Sequence, residues 1–461
     1  MAEKLFITGK LAFSSLQKKL RQINFEEKYS ILKIPITVAA LLDSSFIIRQ
    51  LKESHLLKNY TEDKLIVYLP GRSRAEEDKI ETEINKIFDY QVEVVRGPDE
   101  IIDLPEFFGE KPAAVDFEKK ERKIKIIAEI NEAALTSLPE IITKAEYYHR
   151  SGADIVDLGC VNGREFPHLE KTIYELKKRG FKLSLDSLNA EEIKRADREN
   201  IDYVLSINSS NYSAVEGAGF IPVIIPDPEV GLNSLYKNIE EVKKRGCRNY
   251  IADPILDPIN FGFKKSLSRY IEYCTDSSRN SAVMMGVGNL IELTDADSTG
   301  LNFISAGLAA ELGIDYVLTT EASAKTSGSV KELDLALKIN EYAKEENMLP
   351  NKLSELLITL KDRKNKNYSS KEIEEIRASV RDTNYRILSD GKEIHIFNGK
   401  EYYHGQDIKE LFDRLNYVGS LSHAFYLGKE LKKAETALKL KKNYRQEDEL
   451  SWGYLDHFDL E

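Results

Sequence analysis

Cysteine is scarce: Cys160, Cys247 and Cys274 are the only three in 461 residues, they lie far apart, and none belongs to a CxxC pair. That spacing excludes a disulfide framework and a thiolate zinc knuckle as organising features. His423 has no second histidine or cysteine at metal-binding spacing, and no metal is expected. Long apolar runs are missing as well, since nothing approaches the roughly eighteen consecutive apolar residues of a membrane span. With only a short apolar run in the opening MAEKLFITGKLAF, the chain is expected to be cytoplasmic and free of membrane partners. Positive charge is in deficit: 66 Lys and Arg stand against 77 Asp and Glu, a formal net charge of -11. A general basic field of the kind that holds a nucleic-acid backbone is therefore absent, and no nucleic-acid partner is expected.

What is present is enough apolar material, 42% of the chain, for substantial cores. The length predicts one large domain with one or two smaller ones. Residues 1–110 alternate apolar runs with polar helical stretches and predict a small α/β layer domain. Its strands are expected at LFITG (5–9), KLIVYLPG (64–71) and YQVEVVRGP (90–98), with IPITVAALL (34–42) a strand end or buried turn. The polar, turn-rich stretch 105–123 reads as a linker.

A repeating pattern follows over 120–350. Short apolar strands are predicted at 124–130, 154–158, 181–186, 202–207, 221–226, 249–253, 282–287 and 314–319, with amphipathic stretches between most of them. Gly152, Gly180, Gly246 and Gly313 stand where a left-handed residue would end a helix before the next strand. Eight strands alternating with helices predict right-handed crossovers and closure as a (β/α)8 TIM barrel. After a Leu-rich helix at 330–350 and a charged, weakly patterned stretch at 351–375, the DG and NG turns of YRILSDGKEIHIFNGKEYY predict consecutive hairpins. Helices are expected at 407–415 and 420–440, so 370–461 reads as a C-terminal α+β module.

The chemistry lies in the polar residues that finish the barrel strands: Glu129 and Asn131, Asp157, Asp186, Asn208, Asp227, Asp253, Asn289 and Glu321. A structural barrel has no need of carboxylates and amides at that end, whereas the catalytic face of such a barrel is built from them. A flat ring edge carrying an amino group, ring nitrogens and an oxo group would suit the set, because a carboxylate accepts two donors and an asparagine both donates and accepts. Lys325, among small hydroxyls in TTEASAKTSGSVKEL, would suit an anionic tail on the ligand. Asp154 and Asp202, at strand starts, read as caps.

At GADIVDLG (152–159), SLDSLN (184–189), SINSSN (206–211), ADPILDPINFGF (252–263) and MGVGNLIELTDADSTG (285–300) the chain resembles the pterin-binding barrel superfamily. That superfamily contains dihydropteroate synthase and the methyltetrahydrofolate or methyltetrahydromethanopterin corrinoid methyltransferases. The archaeal dihydropteroate synthase-related proteins are the most similar in organisation. The resemblance implies that Asp186, Asn208 and Asp253 hold the pterin, and that Asn131 stands where the synthases hold a leaving pyrophosphate. Asp157, Glu321 and Lys325 complete the candidate binding set. Two synthase features are missing: NEAALTSLP follows Asn131 in place of the synthase loop, and GVGN replaces a Ser-Arg-Lys loop after the seventh strand.

Asn289 in that loop matches the asparagine which the methyltransferases place near N5. On this resemblance the expected function is one-carbon metabolism: transfer of the N5-methyl group of a tetrahydromethanopterin or tetrahydrofolate derivative, with Asn289 and Asp186 catalytic. The acceptor would be a corrinoid delivered by a partner protein, since the chain has no DxHxxG cobalamin signature, and a homodimer is implied by analogy. The alternatives are dihydropteroate synthase-like condensation, for which Lys325 or Lys265 would supply the cation, and a non-catalytic pterin-binding protein.

Overall fold

The computed structural model describes residues 3–25, 28–58, 60, 63–110, 115–228, 231–362 and 366–458, so positions 111–114 of the expected linker lie outside the described residues. The chain divides into two compact units, Met1–Arg122 with Lys338–Leu353, and Lys123–Leu337 with Ser354–Glu461.

The first unit is built on four parallel strands, β1 (Glu3–Thr8), β2 (Tyr29–Lys33), β3 (Lys64–Leu69) and β4 (Gln91–Arg96), in the order β2-β1-β3-β4. Strand β1 is apolar on both faces: Leu5 and Ile7 enter one core while Phe6 enters another with Tyr68 and Leu104. Burial on both faces is what a parallel sheet covered by helices demands. The sequence reading missed the strand at 29–33, and of its two options for 34–42, a strand end or a buried turn, the turn is observed. The strand is YSILK, and IPITVAALL is the turn beyond it, carrying a short 3-10 segment at Ala39–Leu41. YSILK escaped notice because its residues are only half buried or exposed, so it lacks the apolar contrast of its neighbours.

In the second unit, eight parallel strands close on themselves. They are β5 (Lys125–Ile130), β6 (Ile155–Gly159), β7 (Leu183–Asp186), β8 (Tyr203–Ile207), β9 (Ile221–Ile224), β10 (Ile251–Ala252), β11 (Ala282–Gly286) and β12 (Tyr316–Thr320), with β12 paired to β5. This is a (β/α)8 barrel, and each predicted strand falls within it. The four glycines expected to end helices have φ between +67° and +110°, the left-handed region that a side chain would strain.

Alternation along the strands gives the barrel two cores. Ile127, Ile155, Tyr203, Leu205, Val223, Ile251 and Met284 plug the interior, while Ile126, Val156, Leu185, Val204, Ala252 and Val283 face the surrounding helices. At the lower rim, aspartates at strand entrances clip the neighbouring strand. Asp154 accepts the Ile126 N–H, Asp202 accepts that of Leu183, and Asp315 accepts that of Val283, at 2.9, 2.8 and 2.8 Å. Asp154 and Asp202 are thus caps, of strands rather than helices.

The C-terminal part carries an antiparallel sheet of β13 (Arg386–Ser389), β14 (Ile394–Phe397) and β15 (Tyr402–Gly405). The helix Leu421–Leu440 covers it with Leu427, Leu431, Ala434 and Ala437 against Ile387, Ile394 and Ile396. The stretch read as weakly patterned holds a helix at Ser370–Ser379, started by a capping box of Ser369 and Glu372. Among the described residues no helix is long and apolar enough to cross a membrane.

Candidate functional site

Above the apolar plug the interior of the barrel turns polar. The registers Thr320↔Glu129, Glu129↔Asp157 and Asp157↔Ser184 put four polar residues side by side on adjacent strands, and Asp186 stands one step higher, opposite Gly159. Because side chains alternate along a strand, all of these point inward. The carboxyl groups of Glu129, Asp157 and Asp186 consequently meet, each with an oxygen within 4.8 Å of the others. Asp157 is fully buried. Its Oδ1 accepts the Ser184 hydroxyl at 2.5 Å and its Oδ2 has no partner.

Among the described residues no basic side chain forms an ion pair with these carboxyls. Burial, then the neighbouring Asp186 and Glu129 carboxylates, push the Asp157 carboxyl well above its ordinary value. Burial raises Asp186 too, opposed by the Ser206 hydroxyl. Glu129, raised first by burial and then by Asp186, is pushed up to about 7. Three carboxyls this close cannot all ionise without a counter-charge.

Asp253 lies just beyond β10 and is 5% exposed. Its Oδ1 accepts the Tyr270 hydroxyl at 2.5 Å and the Ile255 N–H at 2.7 Å, leaving Oδ2 without a partner among the described residues. Burial pushes its carboxyl up to about 6, with the Tyr270 hydroxyl acting in the opposite direction. Ile255 has φ +60°, a conformation that β-branched residues avoid.

Asn208 follows β8, whose register is interrupted between Val204 and Ile207 where Ser206 has φ +62°. Asn208 Oδ1 accepts the Ser210 N–H and hydroxyl, so its Nδ2 keeps both donors unspent among the described residues. Fully buried Asn211 holds this turn, accepting the Asn208 N–H at 2.9 Å and donating to Ser206 O at 3.1 Å.

The remaining candidates separate into two groups. Asn131 lies at the rim beside the cluster, with its Oδ1 accepting the Thr320 hydroxyl. Asn289, on the short helix Gly288–Glu292, donates through Nδ2 to Leu256 O at 3.1 Å. Glu321 is not brought to the cluster. It follows the inward-facing Thr320, and its carboxylate accepts from the Tyr147 hydroxyl (3.1 Å) and the Val330 N–H (2.9 Å), which belong to outer helices. Lys325 is engaged elsewhere, donating to Thr294 O at 2.9 Å and Asp295 at 3.1 Å.

Arg164 escaped the sequence reading. It lines a cavity of about 400 Å³ together with Asp186, Ser187, Asn189 and Ser206, and its guanidinium has no partner among the described residues. The available signal was the pair Gly163-Arg164 in the loop after β6, where a glycine with φ +74° turns the chain.

Two family models match parts of the chain: one described as a family of unknown function (DUF6513) over residues 2–99, and one described as PterinBD-DUF4346 over residues 354–447. An uncharacterized protein of Methanocaldococcus jannaschii is 29% identical, covering 97% of this chain and 98% of its own. Among solved structures, Yersinia pestis DHPS with a pterine-sulfa conjugate is 17% identical, covering 50% of this chain and 95% of its own, with a TM-score of 0.40. Dihydropteroate synthase of Xanthomonas albilineans in complex with 7,8-dihydropteroate is 17% identical, covering 48% and 93%, with a TM-score of 0.39. The barrel assignment rests on the chain's own closed strand order.

Proposed function

We propose that the protein binds a reduced pterin in the mouth of the barrel. The observation that carries the reading is hydrogen-bonding capacity left open at three strand ends, on Asp186, on Asn208 Nδ2 and on Asp253 Oδ2. Open donors and acceptors on largely buried side chains are what a ligand's polar edge can engage, and a flat aminopyrimidinone edge offers donors and acceptors of both kinds. The name PterinBD-DUF4346 of the family model over 354–447 agrees with this.

Condensation chemistry of the dihydropteroate synthase type fits the residues better than methyl transfer. In such a displacement an arylamine nitrogen forms a bond to the pterin methylene, the carbon–oxygen bond to pyrophosphate breaks, and the amine loses a proton. The leaving pyrophosphate needs a cation, and Arg164 is an unpaired one lining the same cavity as Asp186.

Fluorescence titration with 7,8-dihydropterin tests the binding. Asp253→Asn and Asn208→Ala are each expected to weaken it about tenfold or more, the cost of leaving buried polar groups mismatched. Wild-type affinity in both variants would remove the reading. Pyrophosphate release from hydroxymethyl-dihydropterin diphosphate with an arylamine, set against demethylation of a methyl-tetrahydropterin with a corrinoid protein, separates the two reactions.

A further inference from the structure

The carboxyl cluster under the mouth holds more acid than ring recognition by Asp186 requires. We propose that Glu129 is the carboxyl in this cluster that carries the exchangeable proton, and that in its neutral form it donates a hydrogen bond to an acceptor atom of the bound ring. The donor role rests on the pterin reading; the location of the proton does not.

Position comes first. Glu129 is the last inward residue of β5, its carboxyl has no hydrogen-bond partner among the described residues, and its backbone oxygen accepts the Tyr148 and Thr320 hydroxyls at 3.1 and 3.0 Å. Its carboxyl occupies space that exists because residue 159 is glycine: a Cβ there would lie 2.5 Å from Glu129 Oε1. Gly159 is paired with Asp186, so the Glu129 carboxyl sits beneath the carboxylate that faces the cavity.

Charge comes next. The groups facing Glu129 are Asp157 from β6, Asp186 and Ser184 from β7, and Thr320 from β12. The helix Leu138–Arg150, packed outside β5, carries Lys144, whose ammonium lies over the Tyr147 and Tyr148 rings and 3.9 Å from Glu321. The cluster therefore has acids and hydroxyls around it. Asp157, sealed, with one oxygen on Ser184 and no cation paired to it among the described residues, is held in its neutral form by burial. Asp186 has the Ser206 hydroxyl to favour its charged form. Glu129, pushed up to about 7, is left as the group that changes charge under ordinary conditions. A proton on one carboxyl removes the repulsion between it and its neighbours without any added ion.

The consequence is a mouth that presents acceptors at Asp186 and Asp253 and one switchable donor at Glu129. A ligand edge that places an acceptor between donors is matched below pH 7 and meets an extra negative charge above it.

Infrared difference spectra of the ligand-free full-length protein between about pH 6 and pH 8 locate the proton. The wild type is expected to lose a carboxylic-acid carbonyl band as pH rises, and Glu129→Gln to lack that change. No band change in the wild type, or the same change in Glu129→Gln, overturns the assignment. Titration with 7,8-dihydropteroate reads the donor role. Wild-type affinity should fall about tenfold between pH 6 and pH 8, as for one group with a midpoint near 7, while Glu129→Gln, a fixed donor, should hold the low-pH affinity at both. A wild-type affinity independent of pH, or a Glu129→Gln protein as pH-sensitive as the wild type, overturns it. If no pterin binds while the infrared band behaves as expected, the pterin reading fails and the proton assignment stands. Removal of the band by micromolar Mg²⁺ or Mn²⁺ would make the cluster a cation site and overturn the proposal.

Discussion

Replacing Tyr270 with phenylalanine removes one oxygen from a fully buried side chain, so its effect reports the two contacts of one hydroxyl, of which the 3.2 Å bond to Met284 O does not change with pH. The shorter contact is the 2.5 Å bond from the hydroxyl to Asp253 Oδ1. Asp253 is pushed from an ordinary 3.8 up to about 6 chiefly by burial. A folded-state value above the unfolded one means that the folded protein binds the extra proton between those two pH values. Stability from this group is therefore highest at low pH and declines as pH rises through about 6, by about 3 kcal/mol in all. The Tyr270 hydroxyl limits that decline by favouring the carboxylate. Without it Asp253 rises further, and the loss continues toward neutral pH.

The cost of Tyr270→Phe should then depend on pH. It is expected to be about 1 kcal/mol near pH 4.5, where a neutral acid loses an ordinary hydrogen bond, and about 2 kcal/mol or more near pH 8, where a buried carboxylate loses a charge-assisted one. Urea denaturation of wild type and variant at the two pH values measures this, and other titrating groups cancel in the difference. Equal costs at both would refute the coupling between Tyr270 and Asp253.

Glu430 in the C-terminal part is 3% exposed and accepts from Lys433 at 2.8 Å and the Tyr444 hydroxyl at 2.8 Å. Glu430→Ala strands the buried ammonium and should cost about 3 to 5 kcal/mol, read as a lowered calorimetric midpoint. Ile255→Gly relieves the strain of φ +60° and should raise stability by about 1 kcal/mol in the same experiment. Arg164→Ala should keep dihydropterin affinity within about twofold while lowering pyrophosphate release a hundredfold or more; equal losses in both would assign Arg164 to ring binding.

The eight barrel strands were legible because each is a short apolar run between helical stretches, and a period of two against one of 3.6 survives in a linear text. Strand β2 was not legible, since its half-buried residues give no contrast. The inward direction of Asp186, Asp157 and Glu129 follows from strand parity once the strands are known. Glu321 shows the limit: one residue past Thr320, it has the opposite parity and is satisfied by Tyr147 and Val330 on the outside. Lys325 looked free in sequence because its partners, Thr294 and Asp295, arrive from another loop.

Local pattern alone thus determined the alternation of elements, the two-faced strands and the ring of polar strand ends, since these depend on neighbours within a few residues. Closure of β12 onto β5 decided the rest. It brings Glu129 and Thr320, 191 residues apart, to hydrogen-bonding distance, and together with the β6 and β7 pairings it sets three carboxyls against one another with no cation paired to them among the described residues. Electrostatic energy depends on distance through space and on exclusion of water, and neither quantity is written along the chain.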